Sequence, residues 1–243
     1  MRLKQTNKDL PSGLPVLSIE STILTHGLPL SYSKKLIKKV FSVAEKGGVY
    51  PAFVSIQGGH ICVGSEEKIL LNMLKHPKLK KISYRNLGIA LSKGWTGGTT
   101  VSASISLAKR AGVSVFCTGG IGGVHRDFSS SFDVSQDILS LSKTPIIVIA
   151  SGAKAILDLK KTLEALEFFG VPVVGYQTDE FPAFWSRSSG LSLDINVSDP
   201  KEIVSIWNNH IRAGNSSAVL VVNPVPKNRE ISNVETEKTI QAA

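Results

Sequence analysis

Short runs of β-branched residues alternate with amphipathic stretches along nearly the whole chain, and this alternation most narrows the folds open to it. Val16–Ile19, Ala52–Ile56, Val113–Cys117, Pro145–Ala150, Val171–Gly175 and Ala218–Val222 read as strands. Between them, Ser33–Lys46, Thr99–Ala111, Asp133–Ser142, Ala153–Phe169 and Asp199–Ala213 read as helices, several with apolar residues at three- and four-residue steps. Ile61–Val63 adds a hairpin partner to Ala52–Ile56 across Gly58-Gly59, and Ser65-Glu66-Glu67 opens one more helix, acidic residues sitting well at its positive end. The expectation is an α/β fold, a mostly parallel sheet layered with helices, in a single domain over 1–243. Ligands of such sheets collect beyond the carboxyl ends of the strands, so polar residues in those loops draw first attention.

Charge is unevenly spread. The chain has 28 Lys+Arg and 19 Asp+Glu, a net +9, and residues 1–85 hold 14 of the basic and 5 of the acidic residues. Most of that excess lies in KKLIKK at 34–39 and KHPKLKK at 75–81. Leu36, Ile37, Val40 and Phe41 form the apolar stripe of a helix, which turns the lysines between them to solvent. No aromatic residues interleave for base stacking, so two solvated lysine-rich helix faces are expected and no nucleic-acid partner. A hydrophobic content of 42% argues against disorder, and the longest apolar runs are far too short to cross a bilayer. Two cysteines make no disulfide framework, and the start of the chain does not read as a signal peptide. A cytoplasmic protein without membrane contact is expected, with an organellar location left open.

Four segments carry chemistry-bearing residues. Thr118–Phe128, TGGIGGVHRDF, follows a strand; its glycines fit a tight turn or an anion-binding nest, and His125 and Arg126 suit a site lining. Its spacing is neither that of a dinucleotide-binding turn nor that of a P-loop. In FDVSQD, Asp133 and Asp137 fall four apart, on one face if the segment is helical, with Ser135 between them. They suit a hard cation such as Mg²⁺ or Mn²⁺, or else an N-cap and an exposed acid. Lys154 sits in IVIASGAKAIL among Ala, Ile and Val at an expected helix start, where desolvation favours the neutral amine of Schiff-base chemistry; snorkelling to the surface is the alternative. Glu20 in SIESTILTHG follows a strand, flanked by hydroxyls, as a general acid or an N-cap-region carboxylate. A fifth segment, GYQTDEFPAFW at 175–185, is an acidic-aromatic loop too distinctive for a generic connector.

Read together, ESTI…HG at 20–27, GGTTV at 97–101, TGGIGGVHR at 118–126, FDVSQDI at 132–138, SGAKAILDL at 151–159 and GVPVVGYQTDEFPAFW at 170–185 resemble the pseudouridine-5′-phosphate glycosidase or indigoidine synthase A family, from about residue 14 to the end. The resemblance implies reversible cleavage of pseudouridine 5′-phosphate to uracil and ribose 5-phosphate by a Mn²⁺-dependent homotrimer. It implies Lys154 as the imine-forming nucleophile, Glu20 as general acid/base and His125 as a further site residue. Asp133 takes the metal position; Val115, Ser135, Gln136 and Asp137 take substrate-contacting ones. The phosphate would find its donors at the glycine turn with Arg126. Where some members carry a phosphate-binding lysine this chain has Trp95, with Lys93 two residues upstream. The family continues past NVETEKTIQAA with a helical segment bearing a site asparagine. A catalytically impaired, C-terminally shortened homologue that binds sugar phosphate or partners full-length subunits is therefore the alternative expectation.

Overall fold

The structure, a computed structural model, describes residues 10–242. The chain forms two compact units that divide between Cys117 and Thr118. The expected α/β class is what forms: strands alternate with helices, and most strand pairs are parallel.

The first unit contains β1 (Val16–Ile19), α1 (Leu30–Lys46), β2 (Tyr50–Gln57), β3 (His60–Val63), α2 (Glu67–Met73), β4 (Lys80–Ile82), α3 (Leu87–Ser92), β5 (Gly97–Thr99), α4 (Val101–Arg110) and β6 (Val115–Cys117). Its strands lie in the order β4-β5-β2-β1-β6, with β3 also on β2. β1 runs parallel to β2 and β6, while β2 pairs antiparallel with β3 and β5. The hairpin at Gly58-Gly59 forms as expected. Ala52 to Ile56 are all buried, as a strand covered on both faces must be. α1 seats Ile37 against Phe53, Leu24, Leu70, Met73 and Leu74 in one apolar cluster, and Lys34, Lys35, Lys38 and Lys39 point to solvent. The first lysine cluster is thus a solvated helix face. The second is not: α2 ends at Met73, and Lys80 and Lys81 belong to strand β4.

The second unit contains α5 (Phe128–Ser131), α6 (Gln136–Lys143), β7 (Ile147–Ala150), α7 (Leu159–Phe168), β8 (Val173–Tyr176), β9 (Asn196–Val197), α8 (Pro200–Arg212), β10 (Val219–Val222) and α9 (Asn233–Ala242). Its strands order as β7-β10-β8-β9, all parallel. β10 is buried along its whole length. Val219 and Val221 share a cluster with Ile147, Val174 and Val197, onto which α8 packs Ile203, Ile206 and Trp207. Pro200 at the first position of α8, after the N-cap Asp199, starts that helix without wasting a backbone donor.

Two of the helix boundaries that differ from the sequence reading bear on the site. α6 begins at Gln136, three residues later than expected, because Ser135 is its N-cap and accepts the Asp137 N–H at 3.2 Å. Asp133 therefore lies outside the helix and shares no helical face with Asp137. α7 begins at Leu159, not Ala153, with Asp158 as N-cap accepting the Lys161 N–H at 3.0 Å. The apolar periodicity of 153–157 reflects burial of Ala153, Ala155 and Leu157 in an irregular strand-like segment, where alternation with exposed Lys154 and Ile156 has period two.

Candidate active site

In the second unit the glycine-rich segment 119–125 runs between two others and is bonded to both. On one side Ser151 N–H donates to Gly119 O (3.0 Å), Ile121 N–H to Gly152 O (3.1 Å), Lys154 N–H to Ile121 O (3.0 Å) and Asp158 N–H to Val124 O (2.9 Å). On the other, Ser135 N–H donates to Gly123 O (2.9 Å) and His125 N–H to Asp133 O (3.0 Å). The buried Asp137 carboxylate accepts the Gly122 N–H at 2.8 Å. Three of the motifs read from the sequence are thus laid side by side.

The glycines serve closeness. None of Gly119, Gly120, Gly122 and Gly123 has a positive φ, so the segment lacks the left-handed residues from which a nest is built. A Cβ on Gly122 would run into the Ser135 hydroxyl, one on Gly123 into Thr162, and one on Gly120 into the Phe184 ring. Several N–H groups are also already spent: those of Ile121, Gly122 and His125 as above, and that of Val124 on Thr162 Oγ1 at 3.0 Å. The anion-nest reading is therefore replaced by a packing one. Gly152 is different, since its φ of 83° and the Pro182 carbonyl standing where a Cβ would go both require glycine in SGAK.

His125, Asp133, Ser135, Gln136, Asp137 and Lys154 all lie on this three-segment platform. His125 Nε2 stands 3.8 Å from Asp133 Oδ2, with both side chains substantially exposed. Ser135 and Gln136 are half-buried at the start of α6, and the Asp137 carboxylate is engaged by the Gly122 N–H of the glycine-rich segment. Lys154 is exposed, which corrects the expectation of an amine buried among Ala, Ile and Val. Its position is set by backbone pairing with the glycine segment, not by a helix terminus. Arg126 is also committed: its guanidinium donates to both Glu237 oxygens (2.7 and 2.6 Å) and to Ala155 O (2.7 Å), so it does not present a free fork to phosphate.

The acidic-aromatic loop covers part of the platform. Phe184 takes a left-handed φ of 65°, donates its N–H to Ser151 O at 3.1 Å, and lays its ring in the space left by Gly119 and Gly120. A non-glycine residue held there costs on the order of 1–3 kcal/mol, an outlier of the kind found at functional loops.

Glu20 belongs to the first unit, one residue past β1, and is 7% exposed. The buried hydroxyls beside it pin this segment: Ser21 Oγ donates to Val54 O (2.5 Å) and accepts the Thr99 N–H (3.0 Å), and Thr99 Oγ1 donates to Val54 O (2.6 Å). Cys117 pairs in register with Ile19 at the end of β6, and burial together with the Glu20 charge pushes its thiol up to about 11. Val115 opens β6 one step before Phe116, which faces Ser18, and its carbonyl accepts the Ser18 hydroxyl at 2.9 Å. Trp95 stacks under the Lys80 ammonium, 5.5 Å from the ring centroid, and Lys93 caps the end of α3. Burial and, after it, the charge of Lys81, read in the sequence only as part of a lysine-rich helix face, lower the His26 imidazole below its ordinary value. Sequence reading missed Glu237, which lies 111 residues from Arg126 and carries no local signal.

A metal ion at Asp133 is a matter of donor chemistry. Among the described residues no group of three or more His, Cys, Asp or Glu side chains converges. One exposed carboxylate beside an imidazole fits a hard cation that keeps most of its waters, and does not fit a closed protein cage.

Fold and platform define a class: parallel α/β proteins that carry a lysine and an imidazole–carboxylate pair on loops beyond the strand ends. The chain belongs to the indigoidine synthase A-like family, whose model matches residues 5–243. It is 43% identical to a pseudouridine-5′-phosphate glycosidase of Mesorhizobium japonicum, over 96% of this chain and 77% of the relative. Among solved structures, an indigoidine synthase A-like protein of Thermotoga maritima superposes with a TM-score of 0.91 at 34% identity, covering 96% of this chain and 78% of the other. The prealnumycin C-glycosynthase AlnA, solved with ribulose 5-phosphate, gives a TM-score of 0.86 at 34% identity, covering 94% of this chain and 74% of the other.

Proposed function

We propose that this chain reversibly cleaves the C–C glycosidic bond of pseudouridine 5′-phosphate, giving uracil and ribose 5-phosphate, with Lys154 as nucleophile. The observation that carries the reading is the platform itself. It sets an exposed lysine amine on a backbone-pinned segment alongside those of His125 and Asp133, in a chain similar throughout to a protein named for this activity. The similarity to a C-glycosynthase solved with a sugar phosphate points to the same bond type.

The chemistry explains the lysine. Protonating a leaving oxygen or nitrogen, the usual route for paired carboxylates, does nothing for a carbon–carbon bond. The Lys154 amine adds at C1′ as the ring C1′–O4′ bond breaks and O4′ takes a proton. The nitrogen lone pair then forms the C1′=N bond while the C1′–C5 electron pair goes to the uracil carbon, which is protonated. Water hydrolyses the imine, restores the amine and releases ribose 5-phosphate. Glu20 is assigned the acid/base role by its place in ESTI, and His125, oriented by Asp133, helps hold the base or the sugar. Ser135, Gln136 and Asp137 are assigned to substrate contact by their place in FDVSQD, Asp137 acting from its buried position by holding the Gly122 N–H. Mn²⁺ is proposed at Asp133, where a bound ion would supply positive charge and ordered water, orienting substrate without generating a nucleophile. A homotrimer in the cytoplasm completes the proposal.

The test is direct. Purified protein with Mn²⁺ should release uracil from pseudouridine 5′-phosphate, and borohydride with ribose 5-phosphate should leave a reduced adduct on the peptide containing Lys154. Folded protein that releases uracil without any adduct would refute the imine route.

A further inference from the structure

Arg126 makes three hydrogen bonds through its charged guanidinium, and they join parts of the second unit that are remote in sequence. Two go to the Glu237 carboxylate on α9, at 2.7 and 2.6 Å, in the parallel fork geometry that fixes a guanidinium plane. The third goes to the carbonyl of Ala155, the residue immediately after Lys154, at 2.7 Å. Lys154 is otherwise tied by its N–H to Ile121 O and by its carbonyl, which accepts the Leu157 N–H at 3.0 Å. The Ala155 carbonyl thus sets the direction in which the loop leaves Lys154. Packing does not hold the guanidinium in place: a cavity of about 210 Å³ lies beside it, lined also by Ser189, Asn233 and Thr236. Without its carboxylate partner the fork has room to swing away.

We propose that Glu237 is a positioning residue for Lys154: it locks Arg126, and Arg126 holds the Ala155 carbonyl and so fixes the backbone from which the lysine projects. The inference rests on Lys154 being the reacting amine, and it assigns α9 a part in the reaction without contact with substrate. A lysine four methylenes long reports small backbone shifts at its amine. Misplacements of about 1 Å cost up to about 10²-fold in rate. E237A should therefore lower kcat and the rate of borohydride-trapped adduct formation by about tenfold or more, with KM changed less than about twofold.

A charge swap separates positioning from plain stability. R126E and E237R should each lower the thermal midpoint and the adduct rate. The double variant R126E/E237R can rebuild the ion pair, but the carboxylate it puts in place of the Arg126 guanidinium has no N–H to offer the Ala155 carbonyl. It should recover the midpoint and not the adduct rate. Recovery of both, or an E237A enzyme with unchanged kcat, would overturn the proposal. Amide exchange gives a readout independent of activity: E237A should speed exchange at Lys154 and Leu157 by about tenfold relative to β10, and unchanged exchange there would also overturn it. Wild-type protein that forms no adduct while E237A still speeds exchange would place the failure in the assignment of Lys154, not in the clasp.

Discussion

Gly122→Ala is the sharpest probe of how the platform is held together. A Cβ at this position meets the Ser135 hydroxyl and Cβ and, slightly farther, the Asp137 carboxylate. Neither neighbour is free to yield. Ser135 caps α6 and donates its own N–H to Gly123 O, while Asp137 is buried and accepts the Gly122 N–H at 2.8 Å. Displacing Ser135 forfeits an N-cap, about 0.5–2 kcal/mol. Lengthening the Gly122–Asp137 bond forfeits a buried hydrogen bond to a charged group, about 1.5–3 kcal/mol. The loss expected from both together is about 2–5 kcal/mol. In urea, where slopes for small proteins run at about 1–3 kcal/mol/M, that lowers the midpoint by on the order of 1 M with the slope unchanged. A second substitution, Ser135→Gly, should return much of the loss, because glycine at an N-cap costs only about a few tenths of a kcal/mol and clears the space. A Gly122→Ala protein with the wild-type midpoint, or one that Ser135→Gly does nothing to relieve, would refute the close-packing account.

Glu20→Gln removes the negative charge that helps burial raise the Cys117 thiol; its titration, followed by thiolate absorbance, should fall from about 11 and stay above the ordinary thiol value. Ser21→Ala leaves the Thr99 N–H without its Ser21 acceptor and Val54 O with one donor fewer in a fully buried setting; a loss of about 1–3 kcal/mol in urea titration is expected, larger than for Ser42→Ala on the solvated face of α1. The Arg126 hydrogen bonds hold the Glu237 carboxyl below its ordinary value, so the clasp's contribution is complete above the usual glutamate range and fades as pH falls through the depressed value. Thermal midpoints of wild type and E237Q should therefore differ at neutral pH and converge in acid; a gap that persists at low pH would contradict it.

Much of the second unit's platform was legible in advance because its residues sit in contiguous strings. TGGIGGVHR, FDVSQD and SGAK each stood out by composition, and the structure lays all three side by side. Their internal physics was less legible. Asp133 and Asp137 read as one helical face because spacing alone cannot reveal that Ser135, between them, would take the cap. Lys154 read as embedded because its neighbours are apolar, yet in a strand-like segment alternate residues point to opposite sides, and the exposed side fell to the lysine. KHPKLKK read as a helix face because lysine patterning over seven residues does not distinguish the end of a helix from the short strand β4.

The sequence by itself determined the class of fold, the main strand–helix alternation and the residue types available for chemistry, since alternating periodicity and strand-flanking motifs are local properties. Only the tertiary structure decided what those residues are free to do. Hydrogen bonds between segments far apart in the chain spend the amides of the glycine turn, commit Arg126 to Glu237 and Ala155, bury Asp137 and leave Lys154 open to solvent. The physical reason is that a polar group has few bonding sites, and which partner fills them depends on chain segments that local sequence does not bring together.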